Sequence, residues 1–380
     1  MKNNINCLII GSKGFLGKNL IAHLQGLPNI QIYEFSRENS IDELEEMISE
    51  SNFIFHFAGI NRPNRDEEFE NNYEFTKSIL ELYESVFKNS IVKPPLIFTS
   101  SIQSSEDNPY GRSKRKAEKL ILNLRKERDF PVHICRLPNV FGKWSKPNYN
   151  SVVATFCSNI ARDIEIEIHD ENKRLSLLYV DDLINIFLKL VFSGSLELDN
   201  EGFLRVDKIY KISLIELAEK IRNFKRTHMS LDFTNLDSGL DRALYSTYLS
   251  FLPHSDFSYE LEFREDYRGK FTELFKHENF GQISYFTTLP GKVRGNHYHH
   301  SKTEKFIVVQ GEAKFKFVEL FSGKIIEIFS NSLNPKVIQS IPGWAHNIEN
   351  VGKSNLITIV WANEIYDELN PDTIQYSLDN

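Results

Sequence analysis

A short apolar run, Cys7-Leu-Ile-Ile10, breaks into Gly11-Ser-Lys-Gly14-Phe-Leu-Gly17 and then into a helical pattern as far as Leu24. No other feature constrains the chain as much. A strand that ends in spaced glycines and feeds a helix reads as one limb of a βαβ unit, whose next strand runs parallel to the first. The alternation continues. Strands are predicted over Gln31 to Phe35, Phe53 to Phe57, Leu96 to Thr99 and Val132 to Arg136. Helices are predicted over Gly14 to Leu24, Ile41 to Ser49, Phe75 to Phe87, Tyr110 to Lys126 and Val153 to Ala161, with further helical stretches at Asp181 to Phe192 and Ser213 to Phe224. This rhythm predicts an α/β, doubly wound parallel sheet covered on both faces.

Near Phe263 the rhythm changes. Glycines and prolines now separate short β-rich runs: Phe280 to Thr288, Lys305 to Val309, Ala313 to Phe321, Lys324 to Phe329, Lys336 to Ile341 and Ser354 to Trp361. Short strands with turn signals and no long helix predict a sandwich or barrel. The boundary is placed in Ser246 to Tyr259, giving a first domain over residues 1–252 and a second over 260–380. A chain of 380 residues suits two domains.

Composition narrows the function classes. There are 45 Lys and Arg against 52 Asp and Glu, a net charge of −7. That acidic balance argues against general nucleic-acid binding. No apolar run approaches the ~20 residues of a membrane span, and the opening residues lack the long apolar core of a signal peptide. Cys7, Cys135 and Cys157 cannot all pair within one chain. They read as thiols of a reducing compartment, so a cytoplasmic protein is expected.

The glycines at 11, 14 and 17 let the backbone approach a pyrophosphate, and the helix N-terminus offers free N–H groups to its oxygens. The spacing is GxxGxxG, weak by itself; its place at the first strand–helix junction favours a dinucleotide site over a bare turn. The next strand ends Glu34-Phe-Ser36-Arg37. A carboxylate at this point suits the ribose 2′-OH of NAD, whereas a serine and an arginine suit a 2′-phosphate. Glu34 falls inside the predicted strand, so Ser36 and Arg37 point to NADPH; the plainer alternative is a solvated loop arginine. Tyr110-Gly-Arg-Ser-Lys114 puts a phenol and an ammonium on one helix face. The ammonium should favour tyrosinate and bring the phenol's acid–base chemistry nearer neutral pH. Ser101 follows the fourth predicted strand and offers a hydroxyl to a substrate carbonyl.

Together these features resemble the extended short-chain dehydrogenase/reductase family, in its sugar-nucleotide branch. The resemblance covers residues 5–250. It rests on Gly11 to Gly17, His56-Phe-Ala-Gly59, Asn72-x-x-x-Thr76, Ser100-Ser101, Tyr110-x-x-x-Lys114, Arg136-Leu-Pro-Asn139-Val-Phe-Gly142 and Tyr179-Val-Asp-Asp182. It implies a Rossmann-like fold with Ser101, Tyr110 and Lys114 as the catalytic set and Asn72 supporting a proton relay. It implies that Gly11, Gly14, Phe15, Leu16 and Gly17 hold the dinucleotide, that Phe57, Ala58 and Gly59 line its adenosine side, and that Asn72, Tyr110 and Lys114 also contact it. Asn139 and Arg174 are the implied contacts to the nucleotide-sugar. His56 departs from the family's frequent Asn-Asn-Ala-Gly form, although His-x-Ala-Gly is common among extended members.

The second half carries its own constellation. Gly291-Lys-Val-Arg-Gly-Asn-His297-Tyr-His299-His-Ser-Lys-Thr-Glu304 is followed by Gly311 and by Pro342-Gly-Trp-Ala-His346. On a strand His297 and His299 share a face and His300 points away; Glu304 and His346 can join them from neighbouring strands. Three imidazoles and a carboxylate suit Zn, Mn, Fe or Ni, against the alternative of a histidine-rich surface turn. Both motifs resemble the cupin family, over residues 260–370. The resemblance implies an all-β cupin barrel with His297, His299, Glu304 and His346 as metal ligands, Zn²⁺ foremost. Asp266-Tyr-Arg268-Gly-Lys-Phe271-Thr-Glu273 with Arg294-Gly-Asn-His297-Tyr is also similar to sugar epimerases of the dTDP-4-keto-6-deoxyglucose type. In those the histidine after Arg-Gly is a base and no metal is needed. His297 is therefore open between ligand and base, with ligand favoured by His299 and Glu304.

The pairing of the two halves resembles the bifunctional enzymes of capsular polysaccharide precursor synthesis. That resemblance implies a UDP-linked N-acetylated 4-keto-6-deoxy-L-hexose as substrate, epimerisation at C-3 in the cupin, then NADPH reduction at C-4 to UDP-N-acetyl-6-deoxy-L-talosamine. It also implies a homodimer. Two rival readings are a 4-ketoreductase whose cupin is only structural and a non-catalytic sugar-nucleotide sensor.

Overall fold

The computed structural model describes residues 4–62, 65–168, 170–228 and 230–378. In chain order the first part runs β1 (Ile5–Ile10), α1 (Phe15–Leu24), β2 (Ile30–Phe35), α2 (Ile41–Glu50), β3 (Phe53–His56), α3 (Glu70–Phe87), β4 (Leu96–Ser101), α4 (Pro109–Arg128), β5 (Val132–Leu137), β6 (Asn139–Phe141), α5 (Val152–Ala161), β7 (Arg174–Tyr179), α6 (Val180–Ser193), β8 (Tyr210–Ser213), α7 (Leu214–His228) and α8 (Gly239–Leu249). Then come β9 (Arg264–Asp266), β10 (Gly269–His277), β11 (Gly281–Thr288), β12 (Val293–Tyr298), β13 (Glu304–Gln310), β14 (Glu312–Glu319), β15 (Ile325–Asn331), β16 (Val337–Gln339), β17 (Trp344–Asn350), β18 (Leu356–Ala362) and β19 (Ile374–Gln375). The chain forms two compact units, Met1–Phe224 with Leu236–His254, and Lys225–Asn235 with Ser255–Asn380.

In the first unit the apolar runs pair as a parallel sheet in the order β2-β1-β3-β4-β5. Cys7, Leu8, Ile9 and Ile10 are all fully buried, because helices cover both faces. On one face Leu8 and Ile10 pack with side chains of α2, α3 and α4, among them Leu44, Ile79 and Ile121. On the other, Cys7 and Ile9 pack with Leu20 of α1 and Phe187 of α6. The strand order reverses between β1 and β3, and in such sheets ligands bind outside the carboxyl ends of the strands at that reversal. A third cluster joins α5, α7 and α8 to β7. α2 begins with the capping box Ser40 and Glu43, and Asn108 caps α4 ahead of Pro109. No helix among the described residues is long and apolar enough to cross a membrane.

The second unit consists of two antiparallel sheets, in the orders β16-β13-β18-β11-β10-β9 and β15-β14-β17-β12-β19. Phe286, Phe306 and Val360 of one pack against Phe315, Phe317 and Ile348 of the other. The fold class is as the sequence predicts: a Rossmann-like α/β sheet followed by antiparallel sheets of the cupin type.

Details differ. α3 starts at Glu70, ahead of the predicted Phe75, because its first turn is polar. β10 has no counterpart in the prediction, since Lys270, Glu273 and Lys276 obscure its alternation. Ser246 to Leu249, at the start of the predicted boundary stretch, belong to α8.

Candidate functional site

β1 ends at Ile10, and the chain crosses its carboxyl edge through Gly11, which has φ +96° and whose added Cβ would lie 2.8 Å from Ala58 N. Only glycine allows that approach. Gly17 sits equally close, with a built Cβ 2.4 Å from Gly11 O. Gly14 is the N-cap of α1 and offers no side-chain cap. The first-turn N–H groups of Phe15, Leu16 and Gly17 are thus left for an external acceptor, at the edge of a cleft those three residues line. A pyrophosphate fits this donor set. Phe57, Ala58, Gly59, Ser36 and Arg37 line the adjoining end of the cleft. Arg37 is exposed and has no ion pair among the described residues, whereas Lys13 is paired with Glu38. A free guanidinium beside the Ser36 hydroxyl suits a 2′-phosphate.

Ser101, Tyr110 and Lys114 come together on the floor of the same cleft. Ser101 ends β4 and its Oγ accepts from Gln103 N at 3.2 Å, opening a 3₁₀ turn over Ile102–Ser105. The first turn of α4 docks on that turn so closely that a Cβ on Gly111 would fall 2.2 Å from Gln103 O. Gly111, which the sequence reading passed over, is what brings Tyr110 within hydrogen-bonding reach of Ser101. One turn on, Lys114 is 5% exposed and donates to Thr99 O at 3.0 Å. Burial pushes this ammonium down to about 8, against the pull of Glu118.

The phenol does not behave as the spacing suggests. Burial raises Tyr110 to about 12, and the Ser101 hydrogen bond offsets only part of this. The reason is geometric: Lys114 Nζ points to Thr99 O and lies 5.9 Å from the Tyr110 ring centre. Tyr110 is held as a protonated phenol, the form a proton donor needs.

Asn72 is buried with both ends of its carboxamide engaged: Oδ1 accepts from Ile60 N at 2.6 Å and Nδ2 donates to Ile60 O at 2.7 Å. In this arrangement it holds the loop after β3. A Cβ on Gly59 would sit 3.4 Å from Lys114 Nζ, so this loop lies directly over the lysine. His56 is a core residue, fully buried, bonded to Thr76 Oγ1 at 3.0 Å and lowered to about 3 by burial and by Lys114. Asn139 lines the cleft beside Lys146 and Tyr149. Arg174 is not brought there: it is exposed at the start of β7, while its neighbour Lys173 lines an adjoining cavity.

In the second unit the donor atoms of His297, His299, Glu304 and His346 lie within 4.8 Å of one another. His297 and His346 are cross-strand partners on β12 and β17. Glu304 begins β13, which belongs to the facing sheet and not to a neighbouring strand of the same one. A left-handed Asn296 interrupts β12, and His299 sits just past its end. His300 is exposed.

Glu304 Oε2 is 3.1 Å from His299 Nε2 and 3.2 Å from His346 Nε2. Burial works to raise the Glu304 carboxyl, but the hydrogen bonds from both imidazoles hold it well below the carboxylate range. Burial and the neighbouring His346 lower His297 to about 3, keeping it neutral as a ligand must be. Three nitrogens and one carboxylate without a thiolate fit a borderline divalent cation. His297, Glu304 and His346 face a cavity of about 490 Å³ that Arg264, Arg268, Arg294 and Lys302 also line. The three cysteines are buried and unpaired, and burial raises Cys7 and Cys135 to about 12, so neither chemistry draws on a thiol.

Residues 7–197 match the NAD dependent epimerase/dehydratase family, and residues 264–374 match the polysaccharide biosynthesis C-terminal domain. The chain is 47% identical over 372 residues to the UDP-2-acetamido-2,6-beta-L-arabino-hexul-4-ose reductase of Pseudomonas aeruginosa, spanning 98% of each. The structure matches that of the capsular polysaccharide assembling protein CapF from Staphylococcus aureus with a TM-score of 0.91 and 40% identity, over 98% of this chain and 100% of that one. UDP-glucose 4-epimerase from Thermotoga maritima is similar in fold alone, with a TM-score of 0.52 and 19% identity over 65% of this chain and 98% of the other.

Proposed function

The chain belongs to the NAD dependent epimerase/dehydratase family, and we propose that it is a bifunctional nucleotide-sugar enzyme, a C-4 ketoreductase joined to a C-3 epimerase. The assembly of Ser101, Tyr110 and Lys114 beside a dinucleotide cleft carries the reductase half. The full-length likeness to the Pseudomonas aeruginosa reductase supports a UDP-linked keto sugar as its substrate, and the likeness to CapF supports a role in capsule precursor synthesis.

The cleft would hold NADPH, and that cofactor would supply the hydride. The protein does the rest. Ser101 and Tyr110 hold the C-4 carbonyl oxygen, and Tyr110 gives it a proton as charge develops there. Lys114 keeps a positive charge beneath the site. Gly11, Gly14, Phe15, Leu16 and Gly17 hold the pyrophosphate, Ser36 and Arg37 the 2′-phosphate, and Asn139 the sugar nucleotide. Asn72 fixes the loop of Phe57, Ala58 and Gly59 against the cofactor.

A C-4 ketone also acidifies the C-3 proton, since the carbanion delocalises onto oxygen. The second unit is assigned the exchange of that proton, ahead of reduction to UDP-N-acetyl-6-deoxy-L-talosamine. A divalent cation, Zn²⁺ first among candidates, would supply Lewis acidity at His297, His299, Glu304 and His346. That three of these ligands face the cavity favours a part in the chemistry over a purely structural clip. Exposed apolar side chains on this unit, Ile325, Phe329, Val337 and Ile341, support a homodimer, which sedimentation would check.

Incubation with a panel of UDP-4-keto-6-deoxyhexoses, NADPH and D₂O tests both halves. The expected product carries deuterium at C-3 and a C-4 hydroxyl. Reduction without C-3 deuterium would leave a ketoreductase with a structural cupin. No reduction of any panel member would leave the sensor reading.

A further inference from the structure

His299 is the ligand least supported by sheet, because it lies beyond the last residue of β12 and opens the turn that leads to Glu304. That turn is held from far away in the chain. The Asp372 carboxylate accepts from the backbone N–H groups of His300 at 2.8 Å, Ser301 at 2.7 Å and Lys302 at 2.8 Å, and from Ser301 Oγ at 3.0 Å. Its main-chain carbonyl accepts from His299 Nδ1. A carbonyl oxygen only accepts, so Nδ1 carries a proton, which leaves Nε2, on the Glu304 side of the ring, as the nitrogen to present to a cation.

The next residue continues the contact, with Lys302 Nζ donating to Thr373 Oγ1 at 2.9 Å. Beyond it the segment has separate anchors. Ile374 and Gln375 pair with Tyr298 and His297, Tyr376 N donates to Asn296 O at 2.8 Å, and Lys316 Nζ donates to Leu378 O at 2.6 Å. His346 differs from His299, since its Nδ1 is buried with no partner. Asp372 therefore does more than pin this segment. Its carboxylate fixes the turn between two ligands, and its main-chain carbonyl takes the Nδ1 proton of one of them.

We propose that Asp372 is a positioning residue of the metal centre, presenting His299 Nε2 to a divalent cation; this rests on the reading that His297, His299, Glu304 and His346 bind one. Removing such an outer partner typically weakens metal affinity about 10–100-fold. The test uses the full chain, with Asp372→Ala and Asp372→Asn beside the parent. Zn²⁺ affinity is read by competition with a chromogenic chelator, and the His299 tautomer by ¹⁵N NMR of metal-free protein. Backbone NMR establishes that each variant is folded.

Asp372→Ala loses the carboxylate that holds the turn but keeps its main-chain carbonyl, so it is expected to bind Zn²⁺ about 10–100-fold more weakly while the His299 tautomer is retained. Asp372→Asn keeps one acceptor oxygen and is expected to fall between it and the parent. A folded Asp372→Ala variant with the parent's Zn²⁺ affinity overturns the proposal. A parent that binds no Zn²⁺ overturns the metal reading itself and the positioning role with it, an outcome the parent alone distinguishes.

Discussion

The two candidate sites bury charge in opposite ways. In the first unit a cation, Lys114, sits 5% exposed against a carbonyl oxygen, and burial draws it down to about 8. In the second an anion, Glu304, is held between two imidazoles that keep it ionised despite its burial. The first arrangement is local. One strand end and one helix start, within Thr99 to Lys114, bring Ser101, Tyr110 and Lys114 together. The second needs two facing sheets and a segment near the C-terminus. A cation kept on the edge of ionisation suits proton traffic, whereas an anion clamped between two imidazoles suits a fixed ligand. Each site should therefore break without the other.

The largest effect is expected from Tyr110→Phe. General acid catalysis contributes about 10²–10⁴-fold, and NADPH oxidation should fall by at least that much. Deuterium wash-in at C-3 should persist. Near-parent turnover in this variant would remove Tyr110 from the chemistry. Glu304→Gln is the converse: bound metal and C-3 exchange should be lost together, while NADPH binding stays at the parent level. Metal analysis and NMR of the same sample read both, and exchange without metal would separate the cation from the chemistry.

Arg37→Ala should narrow the preference for NADPH over NADH. A charge-assisted hydrogen bond to phosphate is worth about 1.5–3 kcal/mol, or roughly tenfold to a hundredfold in affinity. Equal use of both cofactors by the parent would count against a 2′-phosphate contact. The smallest effect is on pH. Because kcat/KM reports ionisations of the free enzyme, reduction should decline above about pH 8 as Lys114 loses its proton. Tyr110, raised to about 12, stays protonated there. Stability moves the other way. Between about 8 and the ordinary 10.5 the unfolded lysine binds more protons than the folded one, so this group's contribution to stability rises with pH across that window. A reductase profile flat to pH 10 would break the comparison at its cationic end.

The local site was largely legible in the sequence. Glycine spacing at 11, 14 and 17 and the i, i+4 pair Tyr110 and Lys114 both survive into the structure, because their meaning depends on one turn of backbone. Gly111 did not stand out, since only the approach of Gln103 O reveals why a side chain is excluded there. Arg174 could not be placed from sequence, because strand phase decides which way it faces and β7 leaves it exposed outside the cleft lining. For the second unit the ligand types were legible but not their origin. Sequence order cannot tell that Glu304 enters from the opposite sheet, nor that Asp372 completes the turn, 72 residues from His300. β10 stayed hidden because Lys270, Glu273 and Lys276, with an exposed Phe275, break the apolar alternation.

The distribution of cysteine has a practical consequence. All three thiols, Cys7, Cys135 and Cys157, lie buried in the first unit, and the second contains none. A thiol-specific reagent added to native protein therefore labels only molecules in which the first unit has opened. Its rate is a clock for that unit alone. Release of a bound metal would time the second. The chain thus carries two independent reporters, and comparing their rates would tell whether the two units open together or one at a time.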